Sequence, residues 1–183
     1  MSTSTQTSIE TGTWAVDKSH SKVGFSVKHM GIANVRGEFT EFEGTLEIAE
    51  DGSASARGTV QADTVDTNDE KRDEHLRSND FFGAEANSTL DFTSTSIEQV
   101  SDDEFEIKGE LAMNGHTNEV TLKAEFTGAD TDPWGNDRVG LEITGQLNRG
   151  DWDMTFNQVL GSGNKLVGEK VKLALDVSAV KQA

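Results

Sequence analysis

Apolar and polar residues alternate with period two along most of this chain, the pattern of strands with one buried face. Over residues 21–29, Val23, Phe25 and Val27 share one face, and Lys22, Ser26 and Lys28 share the other. A first strand is expected at 12–17. Residues 35–49 are too long for one regular strand, and Phe39 and Phe42 have opposite parity, so a bulge or bend is expected near Thr40–Glu41. Further strands are expected at 53–63, 88–100, 104–113, 119–128, 138–149 and 168–180. Asp51-Gly52 and Asn114-Gly115 are hairpin signals, and 130–137, with Pro133, Trp134 and Gly135, is a long turn. Residues 150–163 have no regular pattern.

The alternation stops between Thr64 and Gly83, where a short helix is expected. Thr67 and Glu70 have capping-box spacing. Asp69 and Glu70 suit the first turn and Arg77 the last, and Asp73 and Arg77 form an i,i+4 pair. Leu76 is the one large apolar residue in 69–77, so this helix cannot dock through an apolar stripe. It is expected to be a lid or plug held by polar contacts around Arg72, Asp73 and His75, with Phe81 and Phe82 as its anchor.

About eight or nine strands joined by tight turns, with no βαβ alternation, predict an all-β fold. The expected form is an eight-stranded antiparallel β-barrel with one short helix capping an end, because closure removes exposed edges. Such a barrel either packs its interior or holds one small ligand. Ala and Gly dominate the inward face of 53–63, and Gly44, Gly109 and Gly145 fall inward elsewhere. That pattern leaves two readings open: a cavity for an alkyl or prenyl chain, or a core filled by Phe25, Phe92, Phe105 and Phe126.

The length of 183 residues suits one domain, expected over 11–183 behind a disordered tail at 1–10. The net charge of −17 argues against nucleic acid and against anionic membrane surfaces. No apolar run is long enough to span a bilayer, so no stable membrane insertion is expected. The polar N-terminus resembles neither a secretory signal nor an anchor, which makes the cytoplasm the expected compartment. The chain has no cysteine.

Several segments carry a resemblance. They are Phe25-Ser-Val-Lys-His29-Met-Gly31, Val35-Arg-Gly-Glu-Phe39, Phe42-Glu-Gly44, and Thr67 through Phe82. Others are 109–115 running on to Val120-Thr-Leu122, Asp132-Pro-Trp-Gly135, Asn148-Arg149-Gly-Asp151, and Leu166-Val-Gly-Glu-Lys-Val171. In this order the chain resembles the YceI-like family from about 12 to 178, most specifically in Arg72-Asp73-x-His75-Leu76 with Asp80-Phe81-Phe82. The resemblance implies a lipocalin-like barrel with an apolar interior for a polyisoprenoid or similar long-chain amphiphile, and no catalysis; no cofactor or metal is expected. Two positions depart from the family pattern. Asn87-Ser88 stand where an aromatic-proline pair is usual, and Asp153 follows Trp152 where glycine is usual.

The expected ligand-facing set is Val23, Phe25, Val27, Phe42, Ala56, Val60, Phe92, Phe105, Ile107, Leu111, Leu122, Phe126, Leu141, Ile143, Leu173 and Leu175. Lid or head-group candidates are His29, Arg72, His75, Phe81, Phe82 and Arg149. The expected partner is a long-chain isoprenoid or fatty-acid-like lipid, and an exposed edge near Asn87–Ser88 would permit a homodimer. Arg72 and His75, at i,i+3, share a helix face. They either bond strand-end carbonyls or a carboxylate such as Asp151, fixing the plug, or meet a ligand's polar head. An alternative from another class is an enzyme using Arg72, Asp73 and His75 on a lipid-like substrate. However, Asp73 and His75 point about 200° apart on a helix and cannot chelate one ion together. A third reading is a structural or stress-response barrel with a filled core. His20 and His116 are expected to face solvent, and the Trp134 loop to be a packed turn.

Overall fold

A computed structural model describes residues 9–183. Residues 1–8 of the expected tail lie outside the described residues. Ile9 and Glu10 already belong to the domain. Ile9 packs on the Trp14 cluster, and the Glu10 carbonyl accepts from Trp14 Nε1 at 3.0 Å. The Glu10 carboxylate pairs with Lys181 at 2.8 Å.

The strands are β1 Gly12–Val16, β2 Lys22–His29, β3 Ala33–Phe39, β4 Phe42–Ile48, β5 Ala54–Gln61 and β6 Val65–Asp66, followed after the helix by β7 Thr89–Gln99, β8 Glu104–Met113, β9 His116–Thr131, β10 Asp137–Asn148 and β11 Val167–Lys181. The helix is α1, Glu70–Arg77. All pairings are antiparallel. Strand β1 pairs with both β4 and β11, with Trp14 opposite Leu46 and Lys181, so β1, β4, β5 and β7 to β11 close an eight-stranded barrel. Strands β2, β3 and β6 extend the sheet from β11. The described strands number eleven rather than eight or nine for two reasons. Residues 35–49 break at Thr40–Glu41 into β3 and β4, and Val65–Asp66 adds a short strand opposite Glu38 and Phe39.

Strand β9 is longer than the expected 119–128, because its ladder with β10 continues to Thr131 opposite Asp137. The turn between them is held by Asp132, whose Oδ1 accepts from Trp134 N and Asn136 N, each at 2.9 Å. Its indole, however, is not packed: Trp134 is 80% exposed. The expected edge near Asn87–Ser88 is also not open. Thr89 pairs with Gln61, and the Ser88 carbonyl accepts from Ala62 N at 2.9 Å.

The ladder registers separate two ends. At one, Trp14, Val139 and Ala179 form a buried cluster supported by Ile9, Leu46, Ile48, Phe126 and Val177. At the other, β2 ends at His29, β10 at Asn148 and β8 at Met113. There α1 and the residues after β10 cover the barrel. Trp152 is the largest side chain fully withdrawn from solvent among the described residues, 1% exposed, with Nε1 donating to the Leu111 carbonyl at 2.8 Å.

Candidate functional site

Between the two ends the barrel holds an apolar cavity of about 490 Å³, a size ordinary for small-molecule sites. Val23, Phe25, Val27, Phe42, Ala56, Val60, Phe92, Ile107, Leu111, Leu122, Leu141, Ile143, Leu173 and Leu175 line it. Phe105 and Phe126 do not. Phe105 lies at the start of β8 against the main core cluster, and Phe126 packs beside Trp14 at the closed end. Both are inward by parity, but alternation gives a side chain's face and says nothing of its height along the barrel.

Two of the inward glycines, Gly109 and Gly145, do not open the void. A Cβ on Gly109 would come within 2.5 Å of the Phe92 ring, and one on Gly145 within 2.5 Å of Leu122 Cδ2. These glycines seat neighbouring side chains. The space comes from the wide ring and from the small residues expected on the inward face of 53–63, with Gly44 beside them in the wall. Ala56 and Gly58 line the cavity, and a Cβ on Gly58 would meet only the Glu43 carbonyl, at 3.5 Å.

The plug over the cavity is built from polar contacts. Asp69, not Thr67, caps α1, its carboxylate accepting from Arg72 N at 3.2 Å. Thr67 is buried and has a different task. Its N–H donates to Asp73 Oδ1 at 2.8 Å, and its hydroxyl donates to the same oxygen. Arg72 Nε donates to the Thr67 hydroxyl at 2.7 Å and Nη2 to the Thr67 carbonyl at 2.6 Å. Asp73 is therefore buried against Thr67, and Arg77 pairs with Glu70 at 3.2 Å rather than with Asp73. This knot ties the helix to the end of β6, so the plug needs no apolar stripe.

Arg72, His75 and Leu76 face the cavity, at the i, i+3 and i+4 positions of one helix face. His75 Nε2 lies 2.9 Å from Asp80 Oδ2, and its ring meets Phe81 and Phe156 edge-on at 5.1 and 4.7 Å. On the other side Phe82 packs on Phe39, and Phe39 on Phe25. Asp151 takes no part in fixing Arg72 or His75; its carbonyl accepts from Asn118 Nδ2 at 2.7 Å.

Arg149 is the more consequential charge. It is 4% exposed and lines the cavity. Its Nε donates to the Gly168 carbonyl at 2.8 Å, Nη1 to Met154 O at 2.5 Å and Nη2 to Val167 O at 3.2 Å, and its guanidinium carbon stands 5.8 Å from the centre of the Phe81 ring. Burial pushes the Arg149 pKa down, opposed by the charge of Glu169. Carbonyl dipoles and an aromatic face hold this cation, without a directly bonded carboxylate among the described residues. His29 lies on the cavity rim with Lys28. His20 and His116 are exposed.

The irregular 150–166 stretch supplies Met154, Phe156 and Leu166 to the cavity wall, residues that the period-two pattern could not assign. Asp153, at φ 60 and ψ 24, occupies the left-handed region. This explains why glycine suits the position and why Asp, one of the few other residues that visit it, is accepted.

The model of the YceI-like domain matches residues 14–179. The chain belongs to the YceI-like family. A UPF0312 protein of Staphylococcus epidermidis is 36% identical over 159 residues, 85% of this chain and 90% of that protein. The solved YceI protein of Campylobacter jejuni superposes with a TM-score of 0.71 at 26% identity, covering 91% of this chain and 96% of the other. A polyisoprenoid binding domain from Saccharophagus degradans has the same fold, with a TM-score of 0.67 at 13% identity, covering 92% and 98%. This YceI-like chain thus has the expected lipocalin-like architecture.

Proposed function

We propose that the protein is a lipid carrier which holds one long-chain isoprenoid-type or fatty-acid-like amphiphile in the barrel, for transport, storage or protection. The observation that carries this reading is the 490 Å³ cavity walled by Val, Leu, Ile, Phe and Met. Each CH₂ moved from water into such a wall gains about 0.8 kcal/mol, so a chain of about ten carbons contributes roughly 8 kcal/mol before the cost of immobilising it. The fold shared with a domain described as polyisoprenoid binding supports the choice of ligand class. The tail fills the barrel, and the head lies at the plug, where Arg72, His75, His29 and Arg149 supply donors.

The enzyme reading has less support in the geometry. Asp73 spends its carboxylate on Thr67 and does not line the cavity with Arg72 and His75.

Native mass spectrometry of freshly purified protein, followed by solvent extraction, tests the carrier reading. The expected result is an adduct of several hundred daltons that extracts into organic solvent and disappears in Ala56→Phe combined with Val60→Phe, while the fold is kept. Protein that takes up no isoprenoid or fatty acid, even when one is supplied, would defeat it.

A further inference from the structure

A net charge of −17 leads one to expect an acidic exterior, yet one face beside the mouth is basic. On β2, Phe25 and Val27 line the cavity, so Ser26 points outward, and Lys28 is exposed at the cavity rim. On β11, Val171 and Leu173 line it, so Lys170 and Lys172 point outward; on β3, Val35 lines it and Arg36 points outward. Register gathers these side chains. Ser26 stands between Lys172 and Arg36, and a Cβ on Gly168 would lie 3.3 Å from Lys28 Cβ.

On β3 and β10 the adjoining positions of the same rows are Asn34, Gln146 and Asn148, all uncharged. Lys28, Arg36, Lys170 and Lys172 are exposed, and none has an ion-pair partner among the described residues. Glu169 is taken by Lys165. Acids bound the face rather than interrupt it: Glu38, which pairs with Lys22 at 3.3 Å, and Asp176 lie farther toward the closed end, with Asp66 opposite Glu38, and Glu119 and Glu110 face each other on β9 and β8 beyond β10.

Two exposed apolar side chains adjoin this face. Ile32 is 77% exposed at the tip of the β2–β3 turn, and Val159 is exposed in the loop before β11. The two loops touch: Met30 N donates to the Leu166 carbonyl at 2.9 Å, and Val159 bridges to Lys165. Lys28, His29, Leu166 and Val167 belong at the same time to the cavity wall. The basic face, the apolar tips and the mouth are therefore one continuous region.

We propose that this region docks the barrel on an anionic lipid bilayer. The four cations meet the head groups, Ile32 and Val159 enter the interface, and the mouth faces the acyl chains. An apolar guest then passes between bilayer and barrel without crossing water. The acids elsewhere do not forbid this. Screening at physiological salt acts over about 8 Å, whereas a 16-residue strand such as β9 is about 50 Å long, so what matters is the local charge at the contact. The docking rests on the carrier reading for its purpose, though not for its test.

Flotation of the full chain with vesicles decides it. Vesicles of phosphatidylcholine with about one-third phosphatidylglycerol are expected to bind the protein at about 0.05 M NaCl and to lose it at about 0.5 M. Neutralising two cations, as in Lys170→Gln with Lys172→Gln, is expected to weaken partition about 25-fold, about fivefold for each. Ile32→Asn with Val159→Asn is expected to weaken it several-fold. Binding equal on pure phosphatidylcholine, no binding at all, or unchanged binding by both double variants would overturn the proposal. So would a salt-resistant dimer, seen by sedimentation and abolished by Ile32→Asn, which would assign the face to a second copy. Native mass spectra of the same variants report the lipid load separately, because none of the four residues lines the cavity. Vesicle binding without any lipid load would retain the docking face and sink the carrier reading.

Discussion

Two arginines, one at each end of the barrel, are held in opposite ways. At the closed end Arg138 Nε donates to Asp132 Oδ2 and Nη1 to Asp17 Oδ2, both at 2.8 Å. Two carboxylates neutralise it twice over, and it clasps the β9–β10 turn to the chain leaving β1. At the mouth Arg149 is buried among three carbonyls and a phenyl face, with no carboxylate bonded to it. The closed end is a finished structure: its apolar cluster is packed and its half-buried cation is fully paired. The mouth keeps an unbalanced positive charge beside an apolar void. One end stabilises the fold, and the other spends part of that stability on a site that accepts something.

Removing apolar bulk tests this contrast most strongly. Trp14→Ala at the closed end is expected to cost about 3–5 kcal/mol, because a packed cluster loses both transfer energy and contacts. Ile143→Ala on the cavity wall is expected to cost below about 2 kcal/mol, since its inner side already faces unfilled space. Denaturant titration compares them, and equal losses would mean that the barrel is packed throughout. Next comes Arg149→Met, which strands three buried carbonyls at roughly 1–3 kcal/mol for each that finds no new donor. Arg138→Met is expected to cost less, because its released carboxylates reach water.

The pH response should separate the same two ends. Arg138 holds Asp132 down to about 2, helped by the Asn136 and Trp134 amides. Asp17 lies below the usual carboxylate range, chiefly through Arg138 and then through His20 and Ser19. Folded carboxyls that titrate below the unfolded value of about 3.9 stabilise the protein above about pH 4 and lose that stabilisation as pH falls toward 2. Melting temperature against pH for the wild type and Arg138→Gln is expected to differ most above pH 4 and to converge near pH 2. A constant gap would show that the clasp does not depend on charge. The smallest expected effect is Asp153→Gly, which relieves a left-handed residue and should change stability by no more than about 1 kcal/mol upward, read from the unfolding midpoint.

Much of the fold was legible because alternation has a physical cause: a half-buried sheet admits apolar residues on one face only. The break at Thr40–Glu41 was readable from the parity conflict between Phe39 and Phe42, and the Asn114-Gly115 turn from its dipeptide, with Asn114 at φ 51 and Gly115 at φ 75. The plug was legible as polar, but its wiring was not. Thr67 and Asp69 are both good caps locally. Tertiary burial of Asp73 claimed Thr67 as a partner and left the cap to Asp69. The height of Phe105 and Phe126 along the barrel was equally hidden, and so were Met154, Phe156 and Leu166 in a stretch without period.

The order of apolar and polar residues by itself determined that this chain forms antiparallel strands interrupted by one polar helix, since period and capping are local properties. Whether the ring would be filled depended on shear, on β1 bridging β4 and β11, and on how Phe92 and Leu122 settle over Gly109 and Gly145. Those are distances between residues far apart in the chain, so only the closed barrel could decide that its middle stays empty and its mouth positive.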